Sequence, residues 1–357
     1  MQKELENNKF CTVYMDVEEL LDLGSLNYLD VLVAIARQLQ EELAKRDLPL
    51  PDVLLNNIAS WFDECIVEET KSTEKQGCVG TEAKAGSKIP FFAELFASVT
   101  ANIKTGSTQR ETIRKKLSRE LSVFMDKLNL LISTAREKVR KKGFADLVLI
   151  VDGMEKMHYE LNSEGQSNYN VLFIHNAERL RAPECHIIYT VPVSLAYQQN
   201  LKAYFDDIIV LPMVKTDKPG IKKLIEVVER RVDTSLVFGG PKLLTKLAQT
   251  SGGVVRDLMH LIRMSMETKA EQIGAADVDR AISNLRKIYD RLIRENDIEH
   301  FQRIQRTRRI QGGDEKAGRL LDQRLVLEYQ NGDLWADIHP IVRQIPWVKA
   351  ALADHAA

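Results

Sequence analysis

Four short apolar runs, rich in β-branched residues, limit what this chain can fold into. They are Phe10–Val17 (FCTVYMDV), Asp146–Met154 (DLVLIVDGM), His186–Val193 (HIIYTVPV) and Asp207–Val214 (DIIVLPMV). Each is nearly continuous, with no regular polar alternation. Strands of that composition are covered on both faces, as in a parallel sheet between layers of helix. The segments between them carry helical periodicity, so the expected class is α/β.

The first connection is long. Leu26–Arg46, Val53–Glu68, Phe91–Ile103 and Ser107–Lys141 read as helices. The last starts at a Ser or Thr cap and ends in basic residues that suit the helix dipole. Glu69–Lys88 is polar and glycine-bearing and reads as a mobile loop. Residues 18–145 are therefore expected as a helical insertion within an α/β core spanning 1–215. Beyond it, Pro219–Val232, Pro241–Thr250, Val254–Lys269 and Ala276–Asn296 predict a helical domain over 216–298. Residues 299–318 are charged and glycine-punctuated. They fit a continuing helix followed by a linker, or a linker throughout. In 319–357, Asn331-Gly332 between apolar runs predicts a hairpin, and with a helix on each side it suits a small winged-helix-like module.

Composition excludes several classes. A formal net charge of −1 gives no general electrostatic pull towards nucleic acid or anionic membrane. No stretch approaches 18 apolar residues, so no membrane span is expected. Cys11, Cys65, Cys78 and Cys185 form no CxxC and no zinc-spaced cluster. Cys11 and Cys185 sit in apolar runs, where a thiol behaves as a small core residue. With no apolar leader in MQKELENNKF, a reducing cytoplasmic location is the expectation.

Chemistry concentrates in three places. In LVLIVDGMEK a strand ends at Asp152, and Glu155 follows three residues later. Open α/β sheets bind ligands at the carboxyl ends of their strands. A carboxylate there can hold Mg2+ through water, because that ion keeps part of its hydration shell. A second carboxylate just beyond can polarise an attacking water. An ordinary strand closed by an Asp-Gly turn has the same residues, and the motif alone leaves both open. HIIYTVPVSL places Thr190 at a strand end, where its hydroxyl suits a γ-phosphate or the attacking water; Ser194 is a weaker candidate. A threonine of high β-propensity before a proline-bent loop is the plainer alternative. In SGGVVRDLMHLI two glycines precede a helix whose first turn carries Arg256, a guanidinium able to reach a phosphate. A glycine-capped turn with a surface arginine is the alternative there.

In this order, strand–carboxylate, strand–threonine and glycine–helix–arginine, the chain from about Phe10 to Asn296 resembles the AAA+ superfamily of P-loop ATPases. Within it the resemblance is to the STAND-like bacterial ATPases. The resemblance implies a P-loop NTPase-like parallel sheet, a helical lid and a winged-helix-like C-terminal module. It implies ATP and Mg2+ as cofactors. Asp152 matches the Walker B aspartate, which binds the metal and the nucleotide. Glu155 matches its acidic catalytic partner, although the usual adjacent pair is here Asp-Gly-Met-Glu. Thr190 matches sensor 1 and Arg256 matches sensor 2, both of which bind nucleotide and act in catalysis. Arg179 and Arg181 match trans arginine fingers, or are solvated helix-end charges. The implied function is a nucleotide-dependent regulatory switch that oligomerises with itself and acts on a protein effector. A non-catalytic scaffold of the same fold is the first alternative. A winged-helix nucleic-acid binder with a degenerate ATPase body is the second.

One part is missing from the sequence. No GxxxxGK[ST] occurs, and the lookalike Gly80–Lys88 (GTEAKAGSK) has the wrong spacing and no strand before it. By the resemblance, Phe10–Val17 follows the P-loop helix, and the central P-loop strand pairs between the third and fourth apolar runs. The expectation is a chain whose start lies too late. A degenerate relative that closes its sheet differently and a strand supplied by another polypeptide are the other two readings. All three predict weak or no ATP binding by this chain alone. Elsewhere, Arg303–Arg309 (RIQRTRR) is a local basic cluster that fits a solvated helix face or a nucleic-acid footprint. His339 reads as a helix-start residue packing in the C-terminal module. Trp335 and Trp347 read as core anchors.

Overall fold

Three of the four apolar runs form one parallel sheet. Strands β1 (Cys11–Asp16), β2 (Leu147–Asp152) and β3 (His186–Tyr189) lie in the order β1-β2-β3. This is a computed structural model, and it describes residues 1–73, 91–104, 108–198, 200–267, 271–313 and 315–353. Strand β2 is central, and its LVLIV run is buried throughout, as a strand covered on both faces requires. The register sets Tyr14 beside Ile150, Asp16 beside Asp152 and Tyr189 beside Val151. Strand β3 is an edge: His186 is exposed and Ile187, Ile188 and Tyr189 are half-buried.

The chain divides into two compact units. One is Met1–Pro192 with Leu201–Asp206, and the other is Val193–Asn200 with Asp207–Ala357. In the first, helices Tyr28–Lys45, Asp52–Thr73, Phe91–Lys104, Thr108–Arg119 and Leu121–Lys141 separate β1 from β2. The Tyr28–Lys45 helix begins in a capping box between Asn27 and Asp30. Phe62, Phe96 and Phe124 build the core of this helical layer, with the Phe62 and Phe96 ring centroids 4.7 Å apart. Arg114 Nε donates to the buried Asp30 carboxylate at 3.0 Å and ties two of the helices together. At the start of β2, Asp146 accepts from Arg136 Nη2 at 2.8 Å and Arg140 Nη2 at 2.7 Å. The Arg136 hydrogen bond, chiefly, holds its carboxyl well below the usual range.

Several segments depart from expectation. Ser107–Lys141 is two helices broken at Glu120, whose φ of −101° and ψ of 25° leave the helical region. The break lets Ile113 and Leu117 pack within the helical layer while the second helix turns onto β2. Residues 69–73 continue a helix, and the rest of the expected Glu69–Lys88 loop, with the Gly80–Lys88 lookalike, lies outside the described residues. The fourth apolar run forms no strand. Residues 207–214 pair in no ladder among the described residues, and Ile209 and Leu211 are 79% and 84% exposed. The residues favour an extended chain, but a strand also needs a neighbour to take its backbone groups. Trp347 is not a core anchor: it is 38% exposed, and its Nε1 donates to Asp290 at 2.8 Å, which holds the indole at the surface.

In the second unit, helices Lys218–Glu229, Pro241–Thr250, Val255–Ser265 and Ala275–Asp290 precede helix Ile298–Thr307, so the charged 299–318 segment begins as a helix. The hairpin β4 (Val326–Asn331) and β5 (Asp333–Ile338) is antiparallel, turning at Gly332. Leu247, Leu261, Val278, Phe301, Ile341 and Val348 belong to one shared hydrophobic core. Among the described residues no helix is long and apolar enough to cross a membrane.

Candidate functional site

Several polar groups of the first unit meet at the carboxyl ends of the three parallel strands. The Thr190 hydroxyl donates to Glu155 Oε2 at 2.6 Å and accepts from the Gly153 N–H at 2.9 Å. Its backbone N–H extends the sheet, donating to Val151 O at 3.0 Å. Asp152, Glu155 and Thr190 are thus brought together by the pairing of β2 with β3. Glu155 is exposed on the turn Met154–Lys156, while Asp152 is half-buried.

Strand β1 adds two residues that local sequence spacing does not reveal. Tyr14 Oη donates to Asp152 Oδ2 at 2.7 Å. The hydrogen bond to that carboxylate, then burial, hold the phenol well above its ordinary range. Asp16 stands directly opposite Asp152, and its Oδ1 caps the following helix by accepting from the Glu18 N–H at 3.0 Å. Lys156 pairs with Glu18 beside this carboxylate group. Tyr14 and Asp16 share a face with Asp152 because parallel partners point the same way and side chains alternate along a strand. Only the register, set between positions 138 residues apart, brings Tyr14 to Asp152.

The remaining predicted residues lie elsewhere. Arg256 is in the second unit, in the first turn of the Val255–Ser265 helix, exposed and with no hydrogen bond or ion pair among the described residues. Ser194 is also in the second unit, buried, its N–H donating to Asp322 at 3.2 Å. Arg179 lies 4.7 Å over the Tyr28 ring, and Arg181 pairs with Asp206 at 2.6 Å. Both arginines therefore have partners within their own unit. In the basic cluster, Arg308 pairs with Asp337 and lies 5.5 Å over the Trp335 ring, and Arg343 shares the same carboxylate.

A cavity of about 430 Å³ opens along β3, lined by Leu5, Phe10, Val148, Cys185 and Ile188 among others. Burial pushes the Cys185 thiol up to about 12, so it is a poor nucleophile. In a parallel ladder the residues of an edge strand alternate in the direction of their backbone groups. The Thr190 bond to β2 therefore leaves the Ile187 and Tyr189 N–H groups pointing outward. Neither has a backbone partner among the described residues.

The Tyr14–Asp152 contact is open to a direct test. A hydrogen bond to a charged group contributes about 1.5–3 kcal/mol. In a double-mutant cycle of Tyr14→Phe and Asp152→Asn, followed by urea unfolding, the two losses are expected to be non-additive by about 1 kcal/mol. Additive losses would show that the contact contributes nothing.

Asp152 Oδ1 carries no hydrogen bond among the described residues. No group of three acidic, histidine or cysteine side chains among the described residues could enclose a metal ion. No protein-family model, no curated protein and no solved structure matches this chain.

Proposed function

We propose that this chain is the body of an AAA+/STAND-like regulatory ATPase, a nucleotide-dependent switch whose phosphate-binding strand and loop come from outside these 357 residues. The observation that carries the proposal is the convergence of Asp152, Glu155 and Thr190 at the carboxyl ends of adjacent parallel strands. The outward N–H groups of Ile187 and Tyr189, on the open edge of β3, give it further support, as an edge of this kind can take another strand.

In this proposal Asp152 would hold Mg2+ through water, and the ion would neutralise phosphate charge when bound. Tyr14 keeps one oxygen of Asp152 fixed, so the other presents in a set direction. Thr190 has one hydroxyl proton, and Glu155 holds it. A phosphate oxygen beside Thr190 would compete for that proton. Glu155 would then be released to orient water only when the phosphate is in place. Arg256, exposed and unpaired among the described residues, is the phosphate-binding arginine of this proposal. Nucleic-acid binding through 303–309 gains no support, because Arg308 is already held by Asp337 and Trp335.

Calorimetric titration of the isolated chain with Mg2+ and ATP tests the proposal. Affinity is expected to be weaker than about 100 µM, with no turnover. Fusing a strand–GxxxxGK[ST]–helix segment upstream should tighten it at least about a hundredfold, and Asp152→Asn should remove the gain. Low-micromolar affinity with turnover in the isolated chain would refute the missing-loop reading. A fusion that gains nothing would leave a non-catalytic scaffold.

A further inference from the structure

The hairpin of the second unit grips the turn that carries Arg256 from two sides. On one side, Tyr329 Oη on β4 donates to the Gly252 carbonyl at 2.6 Å, and the Tyr329 ring stacks on Trp335 of β5 with centroids 4.5 Å apart. On the other, His339, the residue after β5, is fully buried. Its Nδ1 accepts from the Ile341 N–H at 3.1 Å, so the ring proton is on Nε2. That nitrogen lies 3.1 Å from the Ser251 carbonyl oxygen and 3.2 Å from Asp257 Oδ2. Tyr289 completes the set, donating to Asp257 Oδ2 at 2.5 Å and stacking on the imidazole with centroids 4.7 Å apart.

Asp257 follows Arg256 directly. Burial pushes its carboxyl up, and the hydrogen bonds from His339 and Tyr289 more than offset that, so it stays ionised. A buried carboxylate held at such short range cannot move without its partners, because separation would leave a charge unpaired in a dry core. The helix has no side-chain N-cap, since Val254 is the N-cap. Within the turn the Ser251 hydroxyl accepts from the Gly253 N–H at 3.3 Å and donates to Ala248 O at 2.8 Å, and the hairpin adds the Tyr329 and His339 contacts to these.

We propose that the β4–β5 hairpin is the read-out of Arg256. His339 and Tyr329 couple it to the Ser251–Asp257 turn, so that a displacement at either is transmitted to the other. The significance of Arg256 as the ligand-facing group rests on the function proposed above; the coupling does not. By linkage the effect is reciprocal.

Hydrogen exchange on the full chain, without nucleotide, tests it in both directions. His339→Ala is expected to speed exchange about tenfold or more at 253–258, with the Pro241–Thr250 helix unchanged. Asp257→Asn should produce the matching increase at 326–338. Tyr329→Phe, which removes one hydroxyl and keeps the stack on Trp335, should give a smaller increase, about threefold, at 253–258. It serves as the variant of record if His339→Ala does not fold. Exchange that stays unchanged at the far side, or rises evenly across the second unit, would overturn the coupling. Because no nucleotide is present, a failure of ATP binding leaves this result untouched, and the converse holds.

Discussion

Gly253→Ala is expected to destabilise the second unit by about 4 kcal/mol or more, enough to abolish its cooperative unfolding transition. Two effects add. Gly253 has φ of +84°, where an L-residue is disfavoured by about 1–2 kcal/mol. The added Cβ would also stand 1.7 Å from the Val214 carbonyl oxygen and 2.7 Å from its carbon. Those are backbone atoms, which cannot rotate away as a side-chain tip would. The proper control is Gly274→Ala, whose Cβ meets nothing nearer than Asp277 Oδ2 at 3.6 Å and whose φ is −98°. That change should stay within about 0.5 kcal/mol. Denaturant unfolding followed by circular dichroism compares the two, and equal stability would remove the steric account of the double glycine.

Glu328→Gln should move stability in the opposite direction, and only above a certain pH. Glu328 lies on the core-facing side of β4, opposite Ala336, and is 7% exposed. Its Oε2 has no hydrogen-bond partner among the described residues. Burial pushes the carboxyl up to about 7, against an ordinary 4.5. Below the ordinary value both folded and unfolded states hold the proton, and the group is neutral to stability. As pH rises from there the unfolded chain ionises first, and the folded state is disfavoured increasingly until about pH 7. Above that the penalty is constant, up to about 3 kcal/mol. An amide removes the charge but keeps a buried polar group. The expected gain is therefore about 2 kcal/mol at pH 8, a rise in melting temperature of roughly 5 °C for a unit of this size, fading to nothing near pH 4. A gain that does not depend on pH would mean the carboxyl is not the cause.

What the sequence reveals and what it hides follow from the range of each interaction. Strands β1, β2 and β3 are legible because continuous β-branched runs such as LVLIV report burial on two faces, a local property. The hairpin is legible from Asn331-Gly332, because turn chemistry is local too. The run 207–214 has the same composition as the strands and forms no ladder, because composition records what a segment favours and not whether a neighbour is present. Within the site, Asp152 and Thr190 stand at strand ends and Glu155 three residues past one, places that sequence order can identify. Tyr14 depends on register across the sheet, and Asp257 with His339 on packing between positions far apart in the chain. No periodicity encodes either. His339 shows the limit well: its place at a helix start is local and legible, while its grip on Ser251 and Asp257 is not.

The outward amides of β3 and the bare side chains of Ile209 and Leu211 also bear on how such a chain is made. A polypeptide with these features is ready to template on its own copies as soon as it leaves the ribosome, and the hazard grows with concentration. If the function proposed above holds, synthesis in excess of the segment that supplies the phosphate-binding strand would be penalised by aggregation and by prolonged residence on chaperones. Expression titrated against a complementing segment should show soluble yield tracking the scarcer of the two. On that proposal the ratio of the two segments, as much as their chemistry, would decide how much of the protein stays folded.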